Sequence, residues 1–381
     1  MVNQSGTQAR LPALVIGAGP AGLALSACLN DKGLDHIVLE REDAVASRWR
    51  EHYDRLHLHT VRGLSSLPHR DFAKGVPRFP SRQQVVDYMD DYAKAFDVRP
   101  LFRQEVRRAS RVNRHWRVET QDRAFEADNL VVATGYNRSP HAPTWPGQEL
   151  FAGETLHSRD YRNGAPWKGK RALVIGAGNT GAELALDLYE HGAEVTICIR
   201  GPIHIVPREF GGLPTQMTGI ALSKLPLGLA DRLGRLTSQL AFGDLSKWGI
   251  TRPEMGPISQ IWKLGRIPLI DIGTIDRIRR GEIQVVPGVE RFTEEGCKLV
   301  SGEMRPFDVV VLATGYRAAI EEFLEDANSY LNDRGYPRVH GAAADPPGPF
   351  FVGFGNPPTG QLREINHHAK AVAEKLAQVK T

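Results

Sequence analysis

Two clusters of glycine carry the spacing of a diphosphate cradle. Gly17, Gly19 and Gly22 form one G-x-G-x-x-G, and Gly176, Gly178 and Gly181 form a second, each directly after an apolar run and at the start of a helix-period stretch. The first glycine of such a set permits the turn, the second lets the backbone close on a pyrophosphate at a helix N-terminus, and the third lets helix and strand pack closely. Pro20 and Ala21 complete the first turn, Asn179 and Thr180 the second. A lone glycine motif is weak, but a charged residue at the end of the next strand makes it specific. In the first copy that residue is Glu40, followed by Arg41, and a carboxylate there accepts from a ribose hydroxyl. The second copy ends in Arg200, whose guanidinium can pair with an adenosine 2′-phosphate that an acid would repel. The second site therefore reads as an NADPH site.

The elements that must hold these residues repeat. Leu11 to Glu40 and Lys170 to Arg200 each read as strand, turn, helix, strand. Two further apolar runs, at 129–136 and 308–316, both end in A-T-G-Y and read as buried parallel strands entering a glycine turn. The expected fold is α/β, with two Rossmann-like dinucleotide-binding domains and the second inserted into the first. Residues 1–150 with 305–381 form the discontinuous first domain, and 160–304 the second, with a helical insertion at about 211–273. Within the insertion, LPLGLADRLGRLTSQLAFGDL reads as an apolar, partly amphipathic helix pair. Its charges are few and mixed in sign, which favours a structural or lid role over contact with a membrane.

Bulk properties narrow the class. A formal charge of +4 with no long Lys/Arg block gives no footprint for nucleic acid, although a mildly basic surface suits anionic cofactors. The first residues lack an apolar h-region and no window of 18 apolar residues occurs, so a cytoplasmic protein without a membrane span is expected. A homodimer is compatible with the sequence. Cys28, Cys198 and Cys297 lie far apart and none belongs to a C-x-x-C pair, which leaves neither a disulfide framework nor a metal site. Two nucleotide sites in one chain imply electron flow from nicotinamide to a flavin, FAD on the first motif. A disulfide reductase needs a dithiol beside that flavin; without one, oxygen, a quinone or a protein partner remains as acceptor.

Phe151, Gly153, His157 and Tyr161 give F-x-G-x-x-x-H-x-x-x-Y just before the second glycine cluster. This resembles the identifying motif of flavin-containing monooxygenases; Baeyer–Villiger monooxygenases share most of it but typically end in Trp. The similarity extends through 46–60, 79–98, 204–209 and 252–258, and is nearest to the YUCCA-like branch, the plant-type indole-3-pyruvate monooxygenases. The resemblance implies that Arg48 and Trp49, with Thr134 and Gly135, border the flavin, and that Arg208 and the turn Ala313, Thr314, Gly315 and Tyr316 lie near the nicotinamide nucleotide. It also implies that 359–365, with Gln361 and Leu362, brings a helix N-terminus to the flavin's pyrimidine edge, where its dipole favours a reduced anionic flavin. The F-x-G motif itself is expected between the domains.

Where flavin-containing monooxygenases carry the Asn of a T-N pair, this chain has His59, in the L-H-L setting that the YUCCA-like branch resembles. His57 and His59 alternate with leucines, so both are expected to point one way, and flavin-side hydrogen bonding is favoured over metal binding. The expected activity is that of an NADPH- and FAD-dependent monooxygenase using molecular oxygen, through a flavin (hydro)peroxide, on a small organic substrate. S- or N-oxygenation and oxidative decarboxylation of an aryl 2-oxo acid such as indole-3-pyruvate both stay open. So do Baeyer–Villiger insertion, a reductase serving a quinone or protein partner, and a nucleotide-sensing protein without turnover.

Overall fold

The computed structural model describes residues 10–344 and 348–378. The first half is built on β1 (Leu11–Ile16), α1 (Pro20–Asp31) and β2 (His36–Leu39). Pro20 opens α1, where its missing N–H costs nothing, and nine consecutive residues of the helix, Ala21 to Leu29, are buried. β1 pairs in parallel with β2 and, on its other side, with β5 (Ala124–Val132), Val15 lying opposite both Val38 and Val131. The long β5 serves two structures. Its first residues close an antiparallel meander with β3 (Arg108–Val112) and β4 (His115–Glu119). Its last residues lie in the parallel sheet, which a short late strand at Phe350–Phe351 extends.

The second half is an all-parallel sheet centred on β8 (Arg171–Ile175). β9 (Glu194–Cys198) and then Ile283–Val286 lie on one side of it, Val309–Leu312 and then Glu154–His157 on the other. The helix Asn179–Glu190 crosses from β8 to β9. Apolar layers cover both faces of each sheet, as strands of unbroken Val, Ile and Leu require.

Both A-T-G-Y runs are buried parallel strands, as expected, but the second is not in the first domain. Val309–Leu312 pairs residue by residue with Ala172–Ile175, and Glu154–His157 pairs with it in turn. The expected limits of 160–304 for the second domain are therefore corrected: its sheet starts at Glu154 and ends at Leu312. The reason is topological, since a strand of four valines and leucines needs neighbours on both edges and finds them only there. The two chain passes between the halves pair with each other, Ser139–Pro140 against Tyr316–Arg317.

The insertion folds as three helices, Thr215–Leu222, Leu227–Phe242 and Pro257–Leu264. Asp231 caps the third, accepting from the backbone N–H of Ile258 at 2.8 Å and of Ser259 at 3.0 Å. No helix among the described residues is long and apolar enough to cross a membrane.

Candidate cofactor and active site

The three glycines of the first cluster do separate work. Gly17 turns at φ +104°, and a Cβ there would sit 2.9 Å from the carbonyl oxygen of Ala133; a Cβ on Gly22 would meet the Gly17 oxygen at 1.9 Å. At Gly19 a Cβ would meet nothing within 4 Å, because that position faces an open cleft. Glu40 seals the turn: its carboxylate accepts from the Ala18 N–H at 2.7 Å and the Glu42 N–H at 3.1 Å. Burial raises its pKa, and the two backbone donors oppose that rise.

The cleft that starts at this turn runs along the first half of the molecule. Gly17, Gly19, Pro20 and Ala21 form its floor, Glu40, Arg41, Arg48, Trp49, Thr134 and Gly135 its walls, and Gln361 and Leu362 one end. Gly22 stands behind the floor as a packing position. Thr134 Oγ1 is buried with no partner in the protein, so the wall offers an unspent hydroxyl to a bound molecule. Open space at Gly19, an acid at the ribose position and this hydroxyl fit FAD. The helix Gln361–Gln378 starts at the cleft after Gly360, whose φ is +100°. Gln361 donates to the Gly353 carbonyl at 3.0 Å and accepts from Tyr136 OH at 3.2 Å, which fixes the helix N-terminus in place.

Sequence reasoning missed part of this lining. Gln104, Glu105 and Val106 come from the loop before β3, and Asn137 and Arg138 directly follow the first A-T-G-Y. Arg138 donates to Glu322 at 2.7 Å and lies over Phe323 at 5.1 Å, tying the cleft to the segment that returns from the second half. Its place two residues past a glycine turn was the available signal. His52 also lines the cleft; burial, reinforced by the charges of Arg162 and Arg82, lowers its pKa to about 4 and keeps its ring neutral near pH 7.

The second cradle repeats the first. Gly176 turns at φ +120°, with a Cβ position 2.3 Å from the Ala313 oxygen, and a Cβ on Gly181 would meet the Gly176 oxygen at 1.9 Å. Gly178 faces open space. Asn179 accepts from the Ile270 N–H at 2.7 Å, which binds the turn to the strand Leu269–Asp271 at the end of the insertion. Thr180 contacts the Tyr53 hydroxyl. Arg200 is exposed just beyond β9, free to reach a nucleotide on this edge. Arg208 stacks its guanidinium 4.5 Å over Phe79 of the first half. Thr314 donates to the His141 carbonyl at 2.5 Å, and the Gly315 carbonyl accepts from His141 N–H at 2.9 Å. Where the halves meet, Arg48, His52 and Asn137 face Arg159 and Tyr316 across a small pocket.

The F-x-G motif is a weld between strand, linker and helix. The Phe151 ring packs edge-on against Phe292 at 5.6 Å, and a Cβ on Gly153 would meet that same Phe151 ring at 2.4 Å. His157 donates from Nε2 to the Gly315 carbonyl at 3.1 Å and meets Tyr316 edge-on at 5.1 Å. Tyr161 is fully buried, stacks on Trp167 and donates to Asp187 at 2.6 Å.

His57 and His59 do not act as a pair. His57 is exposed and turns Nδ1 back to the Arg55 carbonyl at 2.7 Å, because residues 55–58 bend into a bridge with Ser81. His59 reaches the other way, Nε2 donating to Glu183 at 2.8 Å on the helix that follows the second glycine cluster. Neither lines the flavin cleft. Glu183 and Asp187 are both buried, one helical turn apart, and receive His59 and Tyr53 from one segment and Tyr161 from another. Two acids inside the apolar run A-E-L-A-L-D-L were the signal for this network.

The three thiols are buried and none lines the cleft. Burial pushes Cys28 and Cys198 up to about 11 and Cys297 to about 12, which suppresses their thiolates.

Residues 14–207 match the pyridine nucleotide-disulphide oxidoreductase family. Among solved structures, a flavin-containing monooxygenase from Stenotrophomonas maltophilia has a TM-score of 0.75 at 22% identity, covering 98% of this chain and 100% of that one. OTEMO, solved in complex with FAD and NADP, has a TM-score of 0.73 at 19% identity over 98% of this chain and 85% of its own. At these identities the likeness speaks for the fold, a two-dinucleotide-binding flavoprotein. Sequence goes further: the indole-3-pyruvate monooxygenase YUCCA1 of Oryza sativa subsp. japonica is 40% identical over 332 residues, 86% of this chain and 82% of the relative. Identity of that size across most of both sequences puts the chain in the YUCCA-type family of flavin-dependent monooxygenases.

Proposed function

We propose that the chain holds FAD in the Glu40 cleft and NADPH on the Arg200 cradle, and that its reaction is the oxidative decarboxylation of an aryl 2-oxo acid. The observation that carries this reading is the 40% identity to an indole-3-pyruvate monooxygenase. The absence of any thiol at the cleft supports oxygen over a disulfide as acceptor. In the net reaction a 2-oxo acid, oxygen, NADPH and a proton give the carboxylic acid one carbon shorter, carbon dioxide, water and NADP⁺. The carbon–carbon bond beside the ketone breaks, and one oxygen atom enters the new carboxylate.

Bound flavin supplies the oxygen-activating chemistry, and the chain's residues supply shelter and orientation. Trp49 and the neutral His52 stand edge to face, centroids 6.0 Å apart, and place apolar and uncharged surface on the cleft wall, where stray protons and water would waste the activated oxygen. The N-terminus of the Gln361 helix directs its positive dipole end at the cleft and favours a reduced, anionic flavin.

The test is turnover of the purified holoenzyme with NADPH under ¹⁸O₂, supplying indole-3-pyruvate, a thioether and a cyclic ketone in parallel. Indole-3-pyruvate is expected to release carbon dioxide and give an acid carrying one heavy oxygen atom. Conversion of the thioether or ketone with the oxo acid untouched would move the substrate class. NADPH oxidation that yields only hydrogen peroxide, whatever is added, would refute oxygen transfer.

A further inference from the structure

The helix Leu227–Phe242 has two unlike faces. Ala230, Gly234, Ser238 and Phe242, at four-residue spacing, are buried, with Gly234 against Pro257 of the next helix. Leu229, Leu233, Leu236 and Leu240 recur at i, i+4, i+7 and i+11, which puts them in one narrow stripe on the opposite side. That stripe is bare: Leu240 is 67% exposed and Leu236 51%. Trp262, 57% exposed, begins a run through Ile267 in which every residue is exposed. Single exposed leucines are ordinary, but a stripe of four on one helix, with an exposed tryptophan on the next helix of the same insertion, is apolar surface that needs a partner.

The charge of the same segment names the partner's chemistry. Between residues 211 and 267 there are 7 Lys and Arg against 3 Asp and Glu, a net of +4, so the remaining 41 basic and 41 acidic residues of the chain cancel. The chain's whole excess of positive charge lies in its most exposed apolar segment. One of the three acids, Asp231, is spent inward on the cap of the neighbouring helix. Lys224, Arg232, Lys247, Lys263 and Arg266 are all exposed. A second copy of this face would bring like charges together.

We propose that the 211–267 insertion is an interfacial docking surface for an anionic lipid bilayer, its leucine stripe and Trp262 entering the headgroup boundary and its basic residues resting on lipid phosphates. The mixed charge read along the sequence leaves a net basic excess on the same segment that exposes the apolar stripe. Docking has a geometric consequence for the site. Gln216, on the first helix of the insertion, accepts from the Val61 N–H at 2.8 Å and donates to the Thr359 carbonyl at 2.7 Å, just before the helix that ends the flavin cleft. The lipid-facing insertion is thus bolted to the cleft's own end, and an apolar substrate partitioned into the bilayer surface would arrive beside it.

The experiment is co-sedimentation of the full-length holoenzyme with vesicles of phosphatidylcholine alone and of phosphatidylcholine mixed with phosphatidylglycerol. Binding is expected to the mixed vesicles, at least about tenfold tighter than to phosphatidylcholine and weakened by salt. A Leu236→Ser, Leu240→Ser variant and an Arg232→Glu, Lys263→Glu variant should each lose about tenfold or more while keeping their flavin absorbance. Absence of binding to the anionic vesicles, or binding unchanged in both variants, would overturn the proposal. So would a wild-type dimer in light scattering that the leucine variant converts to monomer without any vesicle binding, since the face would then cover a second copy. Should a variant fail to fold, hydrogen exchange on the wild-type protein decides: vesicles should protect Leu227–Leu240 and Trp262–Ile267, and protection elsewhere or nowhere counts against docking.

Discussion

Glu40 and Arg200 end equivalent strands in the two nucleotide-binding units, and the structure gives them opposite conditions. Glu40 is held by two backbone donors before any ligand arrives. Arg200 stands in solvent past the end of β9. A free guanidinium can swing onto a 2′-phosphate and form charge-assisted hydrogen bonds of about 1.5–3 kcal/mol. Arg200→Ala should therefore lower kcat/KM for NADPH by about ten- to a hundredfold and leave that for NADH within about twofold. Steady-state kinetics with both nucleotides check this, and equal losses would remove the assignment. The same scale explains one failure of expectation. Alternation along L-H-L-H puts His57 and His59 on one side of an ideal strand, but the segment is a bend that sends one ring to solvent and the other to Glu183.

At the level of elements, the two strand–turn–helix units are near copies, and the third glycine of each is the point where helix and turn touch. A methyl group 1.9 Å from a carbonyl oxygen cannot be accommodated without moving the helix. Gly22→Ala should yield protein purified without flavin. Gly181→Ala should keep its flavin absorbance and raise the KM for NADPH by about tenfold or more. Flavin absorbance per chain and nucleotide titration separate the two, and loss of flavin in both variants would show that the halves do not bind independently. These units were legible in the sequence because each packs what it encodes locally: a valine-rich strand, a glycine turn, a small-residue helix. The strand Val309–Leu312 was readable as a strand but not as a member of the second sheet, since its sequence says only that both faces are buried and not which neighbours bury them. The cleft-lining Gln104–Val106 escaped for a related reason: a loop residue acquires its role from the sheet it happens to cross.

On the scale of the whole molecule, the halves are joined by buried polar contacts as well as by covalent connections. Glu183 takes His59 from the first half and also contacts Tyr53, and Asp187 one turn later takes Tyr161 from the linker. Glu183→Gln leaves the shape but removes a buried carboxylate acceptor, and should cost about 1–3 kcal/mol in denaturant unfolding with the flavin spectrum unchanged. His59→Gln should behave alike, and the double variant should fall short of the sum by at least about 0.5 kcal/mol. A flavin spectrum shifted by His59→Gln and not by Glu183→Gln would instead place His59 at the isoalloxazine. The late chain segments complete what the earliest begin. Phe350–Phe351 extends the first sheet, and Ala369, Val372 and Ala373 of the last helix share one core with Leu25 and Leu29 of α1. Gln361 and Leu362 close the flavin cleft. During synthesis the second half, complete at Leu312, can therefore fold while the first glycine turn, already long out of the ribosome, still waits for the residues that will cover it. The flavin cleft is thus closed by residues made after every strand of the nicotinamide half, so the cradle made second can be completed first.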